Sequence, residues 1–347
     1  MIDEIKDSVV ADYLHKSEQT PVDVTRSILV FGKNSATYKF ALSKTLLEMA
    51  PVSEASYAEI GEIFLRHLVE HHKICPHQNK RDGTDLSKAM DKYVANNLSW
   101  NEVFGVAEKS IYNNVFDAFH NIGGGSIDKR CSLFEHDKLR KKIVLTDNLN
   151  LLQSNDTVKA DLLSESEARW RVVEEAWRGN LSPLMLLDER EKLFFTTVGD
   201  HRVNLRSAVP TLMPYQFGAC FYCGCALKES VSSHDDEFPD VDHVLPISLL
   251  VREFPTEALN PNGVWNLVLA CRRCNRGTDG KGGSIPHARY FERLLARNIY
   301  FTKEHKHAMK YSVLKSLGAR NHVDVKQRMQ EIYKPFSFFY KWSPRIS

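Results

Sequence analysis

Nothing in the 347-residue chain approaches the run of roughly 18 apolar residues that a membrane span requires. It also lacks internal repeats and low-complexity tracts, which excludes solenoid arrays and compositionally biased linkers. The opening Met-Ile-Asp-Glu-Ile-Lys-Asp has neither an apolar h-region nor an arginine-rich character. We therefore expect no secretory signal or transit peptide, and a cytoplasmic, reducing location. A net charge of +2 is too small to announce a polyanionic partner. Cysteine is nearly missing from the first 200 residues, where only Cys75 and Cys131 occur. What remains is ordinary globular composition, 43% hydrophobic and 26% charged. At roughly 150 residues per domain the length predicts two or three domains.

Both scarcities end in one place. Five of the seven cysteines, Cys220, Cys223, Cys225, Cys271 and Cys274, fall within a short C-terminal stretch. From Cys271 to Arg320 twelve Lys and Arg face only Asp279, Glu292 and Glu304, a local net charge of +9 against −7 for the rest of the chain. In a reducing compartment two Cys-x-x-Cys pairs read as a four-thiolate zinc site, with Cys220, Cys223, Cys271 and Cys274 as ligands. Cys225 is a third thiol beside the first pair. Since the Cys-x-x-Cys knuckle is the commoner geometry, we leave it outside the set.

The pattern ahead of the cysteines is helical. Tyr38, Leu42, Leu46 and Met49 recur at helical spacing within 35–50, with Ser35 as N-cap and Pro51 beyond the end. Similar spacing covers Ser56 to about Lys73, Trp100 to Ile122, which Gly123-Gly124-Gly125-Ser126 ends, and Ser164 to Arg178 with Trp170 and Trp177. Lys142 to Thr146 reads as a short strand. From about Leu193 the text turns strand-like and loop-rich, and a basic helical tail runs from Pro286 to Tyr333. His67, His71, His72 and His77 follow no recognised ligand frame, and His234 sits in an acidic, solvated loop. The expected fold class is α+β. A helical N-terminal regulatory or recognition domain covers 1–190, a zinc-braced unit 205–300, and a basic helical extension packed on that unit 301–347.

Between the cysteine pairs lies Asp240-Val-Asp-His-Val-Leu-Pro246, followed by Trp265-Asn-Leu-Val-Leu-Ala-Cys-Arg-Arg-Cys-Asn-Arg-Gly277. This ordered set resembles the HNH, or ββα-metal, endonucleases of the zinc-braced double Cys-x-x-Cys type. The run from Asn266 to Gly277 is similar to the HNH domain of the RNA-guided CRISPR nuclease. The resemblance covers about 80 residues, and it implies a phosphodiester hydrolase. A neutral imidazole, here His243, takes the proton of the attacking water. Asp242 and the amide oxygen of Asn275 hold a catalytic Mg²⁺ or Mn²⁺. Asn266 pins the loop that carries the histidine. In an extended strand Asp242 and His243 point to opposite faces, which separates the two duties.

On this reading the zinc supplies folding free energy to a unit with little apolar surface of its own. Arg272, Arg273, Arg276, Lys281 and Arg289 contact phosphates, adding affinity without sequence information, and Gly277, Gly280, Gly282 and Gly283 let the backbone approach them. The expected partner is DNA, with RNA as the alternative, and the N-terminal region is left for a protein partner, a ligand or self-association. Related architectures serve in restriction and anti-phage defence, a role that rests on analogy. The rival class is a zinc ribbon that binds nucleic acid without cutting, which accounts for the thiols and arginines but not for Asp242, His243, Asn266 and Asn275.

Overall fold

A computed structural model describes residues 20–31, 36–76, 78, 84–110, 112–122, 125–177, 208–229, 231–255, 259–303, 309–339 and 341–344. They form two compact units, one within 16–178 and one within 179–347. Both mix helices with small sheets, as the α+β expectation requires. The basic tail belongs to the same compact unit as the cysteines.

The first unit begins with α1 (Pro21–Phe31) and α2 (Tyr38–Glu48). Strand β1 (Glu54–Ser56) then leads into α3 (Tyr57–Ile74). A capping box starts α3: the Ser56 hydroxyl accepts from the Glu59 amide, and the Glu59 carboxylate accepts from the Ser56 amide at 2.7 Å. Helices α4 (Asp85–Val94), α5 (Trp100–Ser110) and α6 (Tyr112–Phe119) follow. The single helix expected over 100–122 is thus two helices and a turn. Asn121–Ile122 (β2) leaves the helical path and pairs antiparallel with Gly125–Ser126 (β3).

Strands β4 (Phe134–Asp137) and β5 (Lys142–Leu145) complete a three-stranded antiparallel sheet in the order β1-β5-β4, with Ala55 opposite Ile143. After α7 (Asp147–Gln153) comes α8 (Asp156–Trp177), which is longer than the periodicity suggested and packs on α1 and α2. Trp170 is fully buried there, stacked on His71 at 3.5 Å between ring centroids, with its indole N–H donating to Gln78. Ser35, Trp177's side chain, and the strand-like segment from Leu193 lie outside the described residues.

The second unit is built on a hairpin. Strand β6 (Pro239–His243) pairs antiparallel with β7 (Leu267–Cys271), placing Asp242 opposite Val268 and His243 opposite Leu267. Every β7 residue is buried, because its neighbours cover both faces. Before the hairpin, the short helix α9 (Val209–Leu212) runs into a 3₁₀ turn, Met213–Gln216. There the Gln216 amide mimics a strand: it donates to the Leu269 carbonyl at 2.7 Å and accepts from the Leu269 amide at 2.6 Å. Between the strands lies α10 (Ile247–Glu253), and after them come α11 (Arg272–Arg276), β8 (Ile285–Pro286) and α12 (Ala288–Lys303). Helices α13 (Lys310–Leu317) and α14 (His322–Tyr333) pack on α12, and β9 (Lys341–Trp342) returns parallel to β8.

A candidate thiolate and histidine centre

The cysteines converge because a tight knuckle meets the end of β7. Cys220 donates its amide to the Cys225 carbonyl at 2.8 Å, and Gly224 turns the chain at φ +76°, a conformation most side chains resist. Opposite it, Cys271 ends β7 and caps α11, its sulfur accepting from the Cys274 amide at 3.4 Å. The sulfurs of Cys220, Cys223, Cys225 and Cys271 all lie within 4.8 Å of one another, a set that could hold a metal ion.

The fit to zinc is good. Tetrahedral ligation at about 2.3 Å separates sulfurs by about 3.8 Å, and the Cys223 and Cys271 sulfurs are 3.8 Å apart. Cys225, left out above, is thus one of four thiols close enough together to share an ion. Cys274 borders Cys220 and Cys271, whose sulfurs hydrogen-bond with its own. S–H donation from Cys220 and then Cys274 pulls the Cys271 thiol well down, whereas burial pushes Cys225 up.

Along β6 alternate residues face opposite ways. His243 ends the strand partly exposed, and its Nε2 lies 2.9 Å from Oδ1 of Asn262. Two residues on, Asn266 holds the backbone. It is fully buried, accepts from the Leu245 amide at 2.8 Å and donates to the carbonyls of Leu245 at 2.9 Å and Pro261 at 3.1 Å. Such a three-way clamp leaves the segment after His243 little freedom.

Asp242 faces the interior. It is 6% exposed, and both carboxylate oxygens are engaged. Tyr222 donates its hydroxyl to Oδ2 at 2.5 Å, and the Lys281 ammonium donates to Oδ1 at 3.2 Å. Lys281 is itself 1% exposed and also reaches the Gly282 carbonyl at 3.1 Å. Burial raises the Asp242 carboxyl despite the lysine, and burial beside Asp242 raises the Tyr222 hydroxyl well above its usual value. Asn275, the expected companion of Asp242, instead donates to Asp240 at 3.2 Å. Arg276 grips the same Asp240 carboxylate, with Nε at 2.9 Å. Asp242 and Asn275, assigned above to a catalytic cation, thus engage other side chains, Tyr222 and Lys281 in the one case and Asp240 in the other.

The basic stretch divides. Arg273, Arg276 and Arg289 are exposed and Arg272 half-buried. Lys281, expected at a phosphate, is sealed inside on Asp242. Arg293 and Arg297, on α12, reach backbone carbonyls: the exposed Arg293 donates to the Phe221 carbonyl at 2.7 Å, and the half-buried Arg297 donates to Leu267 and Val264 carbonyls, each at 2.7 Å. Burial lowers Arg297 to about 9. These side chains sew α12 to the knuckle and to the loop ahead of β7. Gly277 is required for a similar reason, since a Cβ there would come within 2.6 Å of the Arg273 carbonyl oxygen. Only Gly282, at φ +48°, has the positive φ and open surroundings expected of a phosphate-approaching glycine.

Sequence reasoning missed Asn262, Tyr222 and Gln216. Asn262 was hidden in Asn-Pro-Asn-Gly, which reads as a turn, and Tyr222 within the first cysteine pair. In the first unit, each described histidine of the His67 group meets a carboxylate: His67 meets Glu48, His71 meets both Glu167 and Glu174, and His72 meets Asp91. His77 lies outside the described residues. No helix among the described residues is long and apolar enough to cross a membrane. Comparison with protein-family models, curated proteins and solved structures finds no match to this chain.

Proposed function

We propose that the chain is an HNH-type endonuclease that hydrolyses phosphodiester bonds of DNA. One observation carries this reading: a partly exposed histidine ends the first strand of a hairpin, its ring is held on Asn262, and the following backbone is clamped by Asn266 beside a thiolate cluster suited to zinc.

In the mechanism, His243 accepts a proton from the attacking water as its oxygen closes on phosphorus. Asn266 fixes the approach of the segment that carries the histidine. When bound, zinc at Cys220, Cys223, Cys225 and Cys271 ties the knuckle to the end of β7 and contributes folding free energy. The exposed Arg273, Arg276 and Arg289, with the half-buried Arg272, are the phosphate contacts of the second unit, and they set position rather than sequence preference. The sequence resemblance calls for Mg²⁺ or Mn²⁺ on Asp242 and Asn275. In this structure those side chains engage Lys281, Tyr222 and Asp240. The first unit is left for recognition of a partner or ligand, and a restriction or anti-phage role is the matching biological context.

The closure of Asp242 on Lys281 favours a second reading, a zinc-stabilised module that binds nucleic acid without cutting. One assay separates the two: supercoiled plasmid and single-stranded RNA are incubated with the chain and Mg²⁺ or Mn²⁺, with His243→Ala alongside. The nuclease reading expects wild-type nicking, with loss of cleavage but not of binding in the variant. Retained cleavage by His243→Ala removes the histidine from the mechanism. Binding without cleavage by the wild type supports the module, and preferential cutting of the RNA changes the substrate.

A further inference from the structure

The histidine ring needs a defined proton before it can act as a base. A neutral imidazole carries N–H on one nitrogen and a lone pair on the other, and the partner of one nitrogen decides which. The partner of Nε2 is Oδ1 of Asn262, at 2.9 Å. An amide oxygen accepts and cannot donate, so Nε2 must carry the proton. The lone pair then falls on Nδ1.

The loop that presents Asn262 is held at several points. The Asn262 amide donates to Oδ1 of Asn260 at 3.0 Å, and the Asn260 amide donates to the Ser316 carbonyl on α13 at 2.8 Å. The Trp265 indole donates to the Asn260 carbonyl at 2.8 Å, and the Asn266 side chain grips Pro261. Gly263 presses so closely on Ser316 that a Cβ there would stand 2.2 Å from the serine Cβ. The Asn266 that clamps the segment after His243 thus also clamps the loop that holds the ring.

We propose that Asn262 is a positioning residue for cleavage: it fixes His243 in the Nε2–H tautomer and aims Nδ1 as the atom that takes the proton from water. This rests on the nuclease reading, and nothing in the sequence resemblance assigns the role to Asn262. In that step the water proton moves to Nδ1 as the water oxygen bonds to phosphorus, and the leaving oxygen departs with the electron pair of its broken bond and takes a proton from solvent.

The test uses the full chain labelled with ¹⁵N, with the His243 ring observed at a pH where it is neutral. The wild type should show a protonated Nε2 whose hydrogen is protected from exchange, and an unprotonated Nδ1. Asn262→Ala should lose that protected signal, and Asn262→Asp, which keeps an acceptor oxygen, should retain it. On plasmid, Asn262→Ala should lower kcat about 10- to 100-fold with KM within about threefold, as for loss of an orienting partner of a histidine. Asn262→Asp should recover part of the rate. A wild-type ring protonated on Nδ1, or an unchanged kcat in a folded Asn262→Ala chain, overturns the assignment and leaves the nuclease reading standing. A wild type that never cleaves overturns the nuclease reading, and the role of Asn262 falls with it.

Discussion

Replacing Lys281 by Met removes the cation from a carboxylate that has almost no water. The side chains of Lys281 and Asp242 are 1% and 7% exposed, so solvent screening gives little relief. Breaking a buried pair from one side costs about 3–5 kcal/mol, because the remaining charge is stranded. Tyr222 still donates to Asp242, which places the expectation toward the lower end, about 3 kcal/mol. For a unit of this size that is on the order of 10 °C in Tm.

The pH dependence of this loss has a definite sign. Burial already raises the Asp242 carboxyl in the folded state, and loss of the ammonium raises it further. A group raised on folding contributes stability below its unfolded value and loses it as pH rises through the folded one. The Lys281→Met penalty should therefore be small in acid, where Asp242 is protonated, and complete above the raised value. Asp242→Asn in the same background should recover much of the loss. Urea titrations of wild type, both single variants and the double variant, at several pH values, give the coupling directly. Additive single effects, or a penalty independent of pH, would refute the buried pair.

The remaining predictions concern the metal, the clamp and the first unit. Elemental analysis should find about one zinc per chain at the four-thiol cluster, and Cys225→Ser should lower zinc content as strongly as Cys271→Ser does; a zinc-free, well-folded wild type would contradict the assignment. Asn266→Ala removes three hydrogen bonds and strands buried backbone groups of Leu245, so it should cost about 2–4 kcal/mol in chemical denaturation and reduce cleavage. In the first unit burial pulls His71 down, but Glu167 and Glu174 outweigh it and hold the ring above its usual value. Its contribution is complete below about pH 6.5 and should fade as pH rises through the raised value; His71→Gln should flatten that decline in urea midpoints.

The helices of the first unit were legible where one apolar face repeats, as at Leu42, Leu46 and Met49, all buried. Periodicity failed over 100–122 because the apolar spacing does not mark where one helix ends and the next begins, and Asn121 and Ile122 pair locally with Ser126 and Gly125. At the site, spacing located the thiols and the Asp-His pair because both are set by local chain geometry. It could not say that β6 turns Asp242 onto Lys281, a residue 39 positions away.

By itself, the sequence determined the ingredients: a frame of clustered thiols, a histidine between its halves, an asparagine before β7, and a basic run starting at the second pair. Tertiary structure alone decided their use. It brought Cys225 into the cluster, closed Asp242 with a buried ammonium, set Arg293 and Arg297 on backbone carbonyls, and set Asn262 against the histidine ring. The reason is physical. Ligand spacing within a turn is nearly fixed by backbone geometry, whereas the partner of a carboxylate or an imidazole depends on which distant segment packs there and which polar groups that burial obliges to pair.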